Sequence, residues 1–407
     1  MSQQHVGPSI GAPFSETEFI ARRDSVRQRM RAGGFDALLV ADPANLYYLT
    51  GYNAWSFYMP QVLFLPLDGE PLLIMREMDA NGAHRTATTF PPEQILGYPE
   101  SLIHQPDRHP GDWIAQALLD RVGNEPRRVG YEGEAHFFTV RTFLSLQAHL
   151  PDWQLDDSQD LVGWVRLVKS PAEIELMRIA GRVATSAMTA GLEALVPGRP
   201  QNEVAAAIQA AQAQGVEDAA GDYPAIVPLM MVGAAADTPH LTWSHDPLPA
   251  ETGVALELTG AHRRYHAPLA RTAYLGTPSA ELRRLADATT DGLEAALAAV
   301  RPGVTAHEVS EAFTQVISAA GYEKASRLGY SIGIGYPPDW GERTVSLRRD
   351  DPTVLVENMT FHVIAGMWMQ GYGFETSEAI RVTADGVETF ADVPRNLVLR
   401  PSAGGAA

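Results

Sequence analysis

The chain has 407 residues, no cysteine and a formal net charge of −18, which excludes disulfides, thiolate metal sites and cysteine nucleophiles and disfavours nucleic acid or an anionic membrane as partner. A 45% hydrophobic and 20% charged composition is that of a globular enzyme, and the length exceeds what one hydrophobic core usually serves, so two domains are expected. No apolar run reaches the roughly 18 residues of a membrane span, and Met1–Pro8 lacks the basic and apolar regions of a secretion signal, so a cytoplasmic protein is expected.

Residues 1–14 read as a flexible tail. Ser15 is a helix N-cap, and Glu16–Ala32 is helical by pattern, with Phe19, Val26 and Met30 on one face. Phe35–Val40 is a short strand, and Asp42-Pro43 a turn or helix start. The segment to Tyr58 is dense in aromatics, among them Tyr52, Trp55 and Phe57; they are either core packing or a wall presented to a ligand. Val62–Pro66 and Pro71–Met75 pair across Asp68-Gly69, and helices near 79–87 and 113–121 alternate with strands near 128–131 and 153–155. That alternation predicts an α/β domain over 15–165.

Ser170-Pro171-Ala172-Glu173 opens a long helix running to about Leu195. An internal repeat begins there. Gly198 and Gly303 each precede a Glu-Val pair, and Ser170-Pro171 finds an echo in Thr277-Pro278. Two similar halves about a hundred residues apart predict a second domain, 166–400, with a pseudo-twofold and a site between its halves. Residues 401–407 read as a second flexible tail.

Within that domain Val254–Thr272 is an apolar strand carrying one acid, Glu257, then a turn at Gly260, a basic hairpin, and a strand ending at Arg271. A carboxylate in such a run is costly unless paired, so Glu257 is either a buried partner of Arg271 or a neighbour, or a working group. Other polar residues gather nearby in sequence: Asp222, Tyr223, His240, His266, Trp340, Arg343, His362, Glu375 and Glu378. Asp222 could instead orient a turn, and His266 and His362 could instead be packing. Glu375 and Glu378 would fall on opposite faces of a strand, and Glu378 is taken as the one that acts.

The phrase Arg166-Leu167-Val168-Lys169-Ser170-Pro171, then His240, then Gly260…Arg271-Thr272 resembles the creatinase/aminopeptidase P/prolidase superfamily. Within it the chain resembles the ectoine hydrolases. The carrying phrases are Gly51-Tyr52…Trp55-Ser56-Phe57-Tyr58, Gly221-Asp222-Tyr223-Pro224, Pro239-His240-Leu241-Thr242-Trp243, and Tyr336-Pro337-Pro338-Asp339-Trp340-Gly341-Glu342-Arg343. The resemblance implies an α+β fold, with a creatinase-like N-terminal domain followed by a pita-bread domain.

The superfamily's metallopeptidases hold two metal ions with two Asp, one His and two Glu. Here the matching positions are read as Leu258, Pro268, Tyr330, Ile364 and one of Thr376–Glu378, and aliphatic side chains cannot bind a hard cation. The resemblance therefore implies no metal and no other cofactor. It implies hydrolysis of a cyclic amidine, ectoine or hydroxyectoine, to an N-acetyl-2,4-diaminobutyrate. His240, Glu257 and Glu378 would be catalytic. Tyr52, Trp55, Phe57, Asp222, Tyr223, His266, Arg271, Trp340, Arg343, His362 and Glu375 would bind substrate, with Arg271 or Arg343 on its carboxylate. Departures at Met59-Pro60-Gln61, Ile364-Ala365-Gly366 and Phe374–Glu378 keep another amidine or a guanidine such as creatine in view. A silent binding protein of the same fold is the rival of a different class, and a metal-dependent Xaa-Pro peptidase ranks last. The implied partners are the small-molecule substrate and a second copy of the chain, in a homodimer.

Overall fold

The computed structural model describes residues 13–217 and 219–400. The tails expected at 1–14 and 401–407 lie outside the described residues, apart from Pro13 and Phe14. Phe14 is not loose: it is buried, with the Arg22 guanidinium 3.9 Å over its ring. Two compact units divide between Arg166 and Leu167.

In the first unit the order is α1 (Glu16–Gly33), β1 (Ala37–Val40), α2 (Pro43–Thr50), β2 (Val62–Pro66), β3 (Leu72–Arg76), α3 (Glu77–Thr86), β4 (Ile95–Tyr98), α4 (Pro110–Val122), β5 (Arg127–Tyr131), α5 (Val140–His149), β6 (Trp153–Asp157) and α6 (Leu161–Arg166). Ser15 accepts the Glu18 N–H at the start of α1, and Gly34 ends it in the left-handed region. Asp42 caps α2, so Asp42-Pro43 is a helix start. The strands form one sheet in the order β4-β3-β2-β1-β5-β6, around a core that includes Leu39, Phe64, Ile74 and Val129. Tyr52 and Phe57, expected to meet substrate, are core residues of this unit. The Tyr52 hydroxyl lies 2.6 Å from Ser56 Oγ, and Phe57 packs on Phe137 at 5.0 Å. Trp55 is exposed.

The second unit runs α7 (Pro171–Ala194), α8 (Gln201–Gln214), β7 (Leu229–Val232), β8 (Thr252–His262), β9 (Tyr265–Leu275), α9 (Ala280–Ala299), α10 (Ala306–Ala319), β10 (Gly329–Tyr336), β11 (Asp339–Leu347), β12 (Thr360–Met369), β13 (Tyr372–Val382), β14 (Val387–Thr389) and β15 (Val398–Arg400). Each half is a helix pair followed by antiparallel strands, as the repeat predicts. Capping boxes at Ser170/Glu173 and Thr305/Glu308 start α7 and α10. Ser279, not Thr277, caps α9. The sheet order is β14-β13-β12-β10-β9-β8-β7, with β11 on β10 and β15 on β9.

The turn expected at Gly260 is not there. β8 continues to His262, and the chain reverses at Arg263 and Arg264, both with positive φ. Gly260 serves another purpose: a Cβ there would collide with the Ala180 carbonyl, so its absence lets α7 press against the sheet. Period-two alternation then divides the hairpin. Leu256, Leu258, Leu269 and Ala273 join Ala184 and Met188 of α7 in the core. Glu257, Thr259, Pro268 and Ala270 take the opposite face.

Arg271 falls on the helix-side face and is fully buried. Its five N–H groups find five acceptors: the carbonyls of Ala270, Ser377, Val393 and Pro394, and Glu378 Oε1 at 2.6 Å. Glu378 Oε1 also accepts from Arg395 Nε at 2.9 Å. Arg271 and Glu378 are therefore corrected from site residues to the clasp between β9, β13 and the C-terminal segment. Arg271 pairs with Glu378, not with Glu257. Glu378→Gln leaves a buried guanidinium without its counter-charge, a loss of about 3–5 kcal/mol. The expected outcome is a lowered urea midpoint in equilibrium unfolding, with kcat of the folded variant near that of the parent.

Candidate functional site

The face of the sheet away from α7 carries the polar residues that the fold leaves for chemistry. Glu257 on β8 stands across from Ala270 of β9. Ile364 and Gly366 of β12 stand across from Ser377 and Glu375 of β13. Tyr330 of β10 stands across from His362 of β12. Of the positions read as emptied metal sites, Leu258 is corrected: it lies in the core behind the sheet, and the side chain β8 presents here is that of its neighbour Glu257.

Glu257 and Glu375 are both buried. Thr272 fixes the Glu375 backbone, its hydroxyl donating to the Glu375 carbonyl and accepting the Glu375 N–H, each at 2.9 Å. Yet neither carboxylate oxygen of Glu375 has a hydrogen-bond partner. Burial pushes Glu257 up to about 7, with the Asp339 charge adding to it. Burial also holds Glu375 well above the carboxylate range, reinforced by Glu257 and opposed by Lys324. Two buried acids, one raised further by the charge of the other, are poised to receive a cation.

Beside them runs a chain of hydrogen bonds. Trp340 Nε1–H donates to Tyr330 Oη at 2.8 Å. Tyr330 Oη lies 3.0 Å from His362 Nδ1, and His362 Nε2 lies 2.7 Å from Ser377 Oγ, which also accepts the Ala270 N–H. Burial pushes His362 down to about 3, with the Arg327 and Arg271 charges adding to it, so the ring is neutral. Burial, then the Glu257 charge, raises Tyr330, so its hydroxyl keeps its proton. Trp340 and His362 are thus brought together as expected. From the sequence Tyr330 reads as a lost ligand and Ser377 only as one of the positions 376–378, though period two from Glu375 puts Ser377 on the same face.

His240 is exposed and holds a positive φ of 69°, unusual for a residue other than glycine. Its neighbour Leu241 accepts the Met230 N–H at 2.9 Å, and the adjoining Leu229 stands across from Glu257. His240 thus adjoins a residue hydrogen-bonded to β7, the strand paired with the one that carries Glu257.

Four expected substrate contacts are corrected. Asp222 accepts the Arg264 N–H at 2.8 Å and holds the hairpin. The Tyr223 ring lies 3.8 Å beneath the Arg264 guanidinium, whose other side faces Tyr336. His266 uses both nitrogens, one on the Ala225 N–H and one on the Arg264 carbonyl, and burial keeps it neutral. Arg343 is exposed. Arg264, read as part of a basic loop, is a fully buried strut that also donates twice to the Gly335 carbonyl.

The donor set does not fit a pair of metal ions. Pro268 and Ile364 offer no ligand atoms, His362 spends both nitrogens, and no group of three His, Cys, Asp or Glu among the described residues could hold a metal.

Because Glu257 and Glu375 are raised in the folded state, the native protein holds protons that the unfolded chain releases above about pH 4.5, Glu257 giving up its own near 7 and Glu375 well above the carboxylate range. Their contribution to stability is therefore lost as pH rises through that window. Glu375→Gln is expected to gain melting temperature relative to the parent as pH rises from 5 to 8, read by differential scanning fluorimetry. An unchanged difference across that range would contradict the raised acids.

Comparison with known proteins agrees with this architecture. Residues 175–385 match the metallopeptidase family M24 and 22–168 the Creatinase/Prolidase N-terminal domain. An ectoine hydrolase of Halomonas elongata is 40% identical over 397 residues, covering 96% of this chain and 99% of the relative. A Xaa-Pro dipeptidase of Lactobacillus delbrueckii subsp. lactis is 26% identical, covering 93% and 98%. Among solved structures, a prolidase from Thermococcus sibiricus superposes with a TM-score of 0.82 at 20% identity, covering 94% of this chain and 99% of its own. Dipeptidase PepE from Mycobacterium ulcerans gives 0.79 at 23%, covering 95% and 99%. The chain thus belongs to metallopeptidase family M24, with a creatinase/prolidase N-terminal domain, and its full length is related to an ectoine hydrolase.

Proposed function

We propose that the protein is a hydrolase that opens the ring of ectoine, a cyclic amidine, without a metal ion. The observation that carries this is the pair Glu257 and Glu375, buried together with both oxygens of Glu375 unpartnered. Where metallopeptidase relatives would need metal cations, this face offers two carboxylates and few further ligands. An amidinium is a planar, delocalised cation whose N–H groups suit two opposed carboxylates through charge-assisted bonds. Its arrival supplies the positive charge that lets both acids ionise.

Water adds at the amidine carbon, one ring C–N bond breaks, and an N-acetyl-2,4-diaminobutyrate leaves. In this reading Glu375 holds the amidinium while Glu257 takes the proton of the attacking water. The neutral Tyr330–His362–Ser377 chain orients the ring, and Trp340 offers it an aromatic edge. His240, which follows β7 in a positive-φ conformation, delivers a proton to the departing nitrogen. Covalent attack by Glu257 is the other route the same placement allows, and it would leave a mass adduct on Glu257 in a rapid quench. Acting on a small soluble molecule in the cytoplasm belongs to this proposal, as does a homodimer whose second copy covers the exposed Trp55 and Tyr58.

Incubation with ectoine is expected to give the ring-opened product at a rate unchanged by a chelator. Glu257→Gln is expected to lower kcat about 100-fold or more, within the range of general-base loss. Chelator-sensitive cleavage of Xaa-Pro peptides, or full turnover by Glu257→Gln, would overturn the reading.

A further inference from the structure

A cyclic amidine that also bears a carboxylate needs an anion seat within reach of the carboxylate pair. Neither arginine considered from the sequence supplies it, since Arg271 is saturated by five acceptors and Arg343 is exposed. The second unit holds a cavity of about 860 Å³ between α10, the segment leading into β10, and the end of β11. On a chain of net charge −18, four cations line it, Lys324, Arg327, Arg348 and Arg349, against one acid, Glu323. Such a concentration of positive charge in a concave wall draws small anions.

Lys324 links this cavity to Glu375. Its ammonium donates to the Gly366 carbonyl at 2.7 Å and to Ser326 Oγ at 2.9 Å, which uses two of its three N–H groups. Gly366 stands across from Glu375 on β13, and Lys324 acts electrostatically on Glu375. Arg327 stands at the same wall, its guanidinium 4.4 Å over the ring of Tyr330 and donating to Ser346 Oγ at 3.2 Å. The two cations thus border, respectively, the substrate-facing acid and the hydrogen-bonded chain.

We propose that this cavity seats the carboxylate of the substrate, with Lys324 as its anchor and Arg327 beside it, so that a bipolar ring lies with its amidinium on Glu257 and Glu375. The proposal rests on the ectoine reading and narrows it: the preferred substrates are cyclic amidines that carry a carboxylate, and the bare ring is discriminated against.

The test compares kcat/KM for ectoine with that for its carboxylate-free ring, 2-methyl-1,4,5,6-tetrahydropyrimidine, in the full-length enzyme and in Lys324→Met and Lys324→Arg. Using the ratio cancels any effect of Lys324 on amidinium binding that acts through Glu375. The ratio is expected to fall about 10- to 100-fold in Lys324→Met, the worth of one charge-assisted hydrogen bond. It is expected to recover in part in Lys324→Arg, with the loss residing in KM rather than kcat. An unchanged ratio in Lys324→Met overturns the seat, whatever happens to absolute rates. If the parent enzyme is inert on ectoine, the functional reading fails by itself, and the seat is read by calorimetry with acetate. Binding by the parent and not by Lys324→Met supports it; binding by both or neither overturns it.

Discussion

A guanidinium buried away from water is tolerable only when every N–H has an acceptor and the charge has a counter-charge. Arg271 meets both conditions at once, and in doing so fixes three parts of the chain: its own strand β9, the neighbouring strand β13 through Ser377 and Glu378, and the segment at Val393–Pro394. On the opposite face of the same two strands, Ala270 donates to Ser377 Oγ and Thr272 exchanges hydrogen bonds with the Glu375 backbone. The clasp behind the sheet therefore sets the register of what stands in front of it. Glu378 serves the first face; Glu375 and Ser377 serve the second.

The front face pays for its chemistry in stability. Two buried acids destabilise the fold as they ionise, and the half-buried Lys324 opposes that at Glu375. Functional sites commonly break the rule that buried charges are paired in the resting protein. This face carries Pro268, Tyr330, Ile364 and Ser377 beside the buried acids Glu257 and Glu375, and proline and isoleucine offer no side-chain atom to a metal ion.

Much of the framework was legible in the residues. The helix starts at Ser15, Asp42 and Ser170 are written in capping side chains that act locally. The repeat offset between Gly198 and Gly303 revealed the two halves. Glu257 stood out because a lone acid in an apolar strand demands an explanation. The turn at Gly260 was misread because glycine marks both turns and close contacts, and only the approach of α7 tells which. Lys324 and Arg327 gave no signal at all, since their position along the chain says nothing about which strand they meet.

By itself the sequence determined what depends on near neighbours and on residue type: caps, strand periodicity, the absence of thiol chemistry, the lack of ligand atoms on Pro268 and Ile364, and the kinship of the whole chain. Tertiary structure alone decided which acid is left unpartnered and which one braces. Glu375 and Glu378 are three residues apart on one strand, so alternation puts them on opposite faces, but nothing local states which face meets Arg271. That choice is made by strand pairing between β9 and β13, a contact between residues about a hundred positions apart.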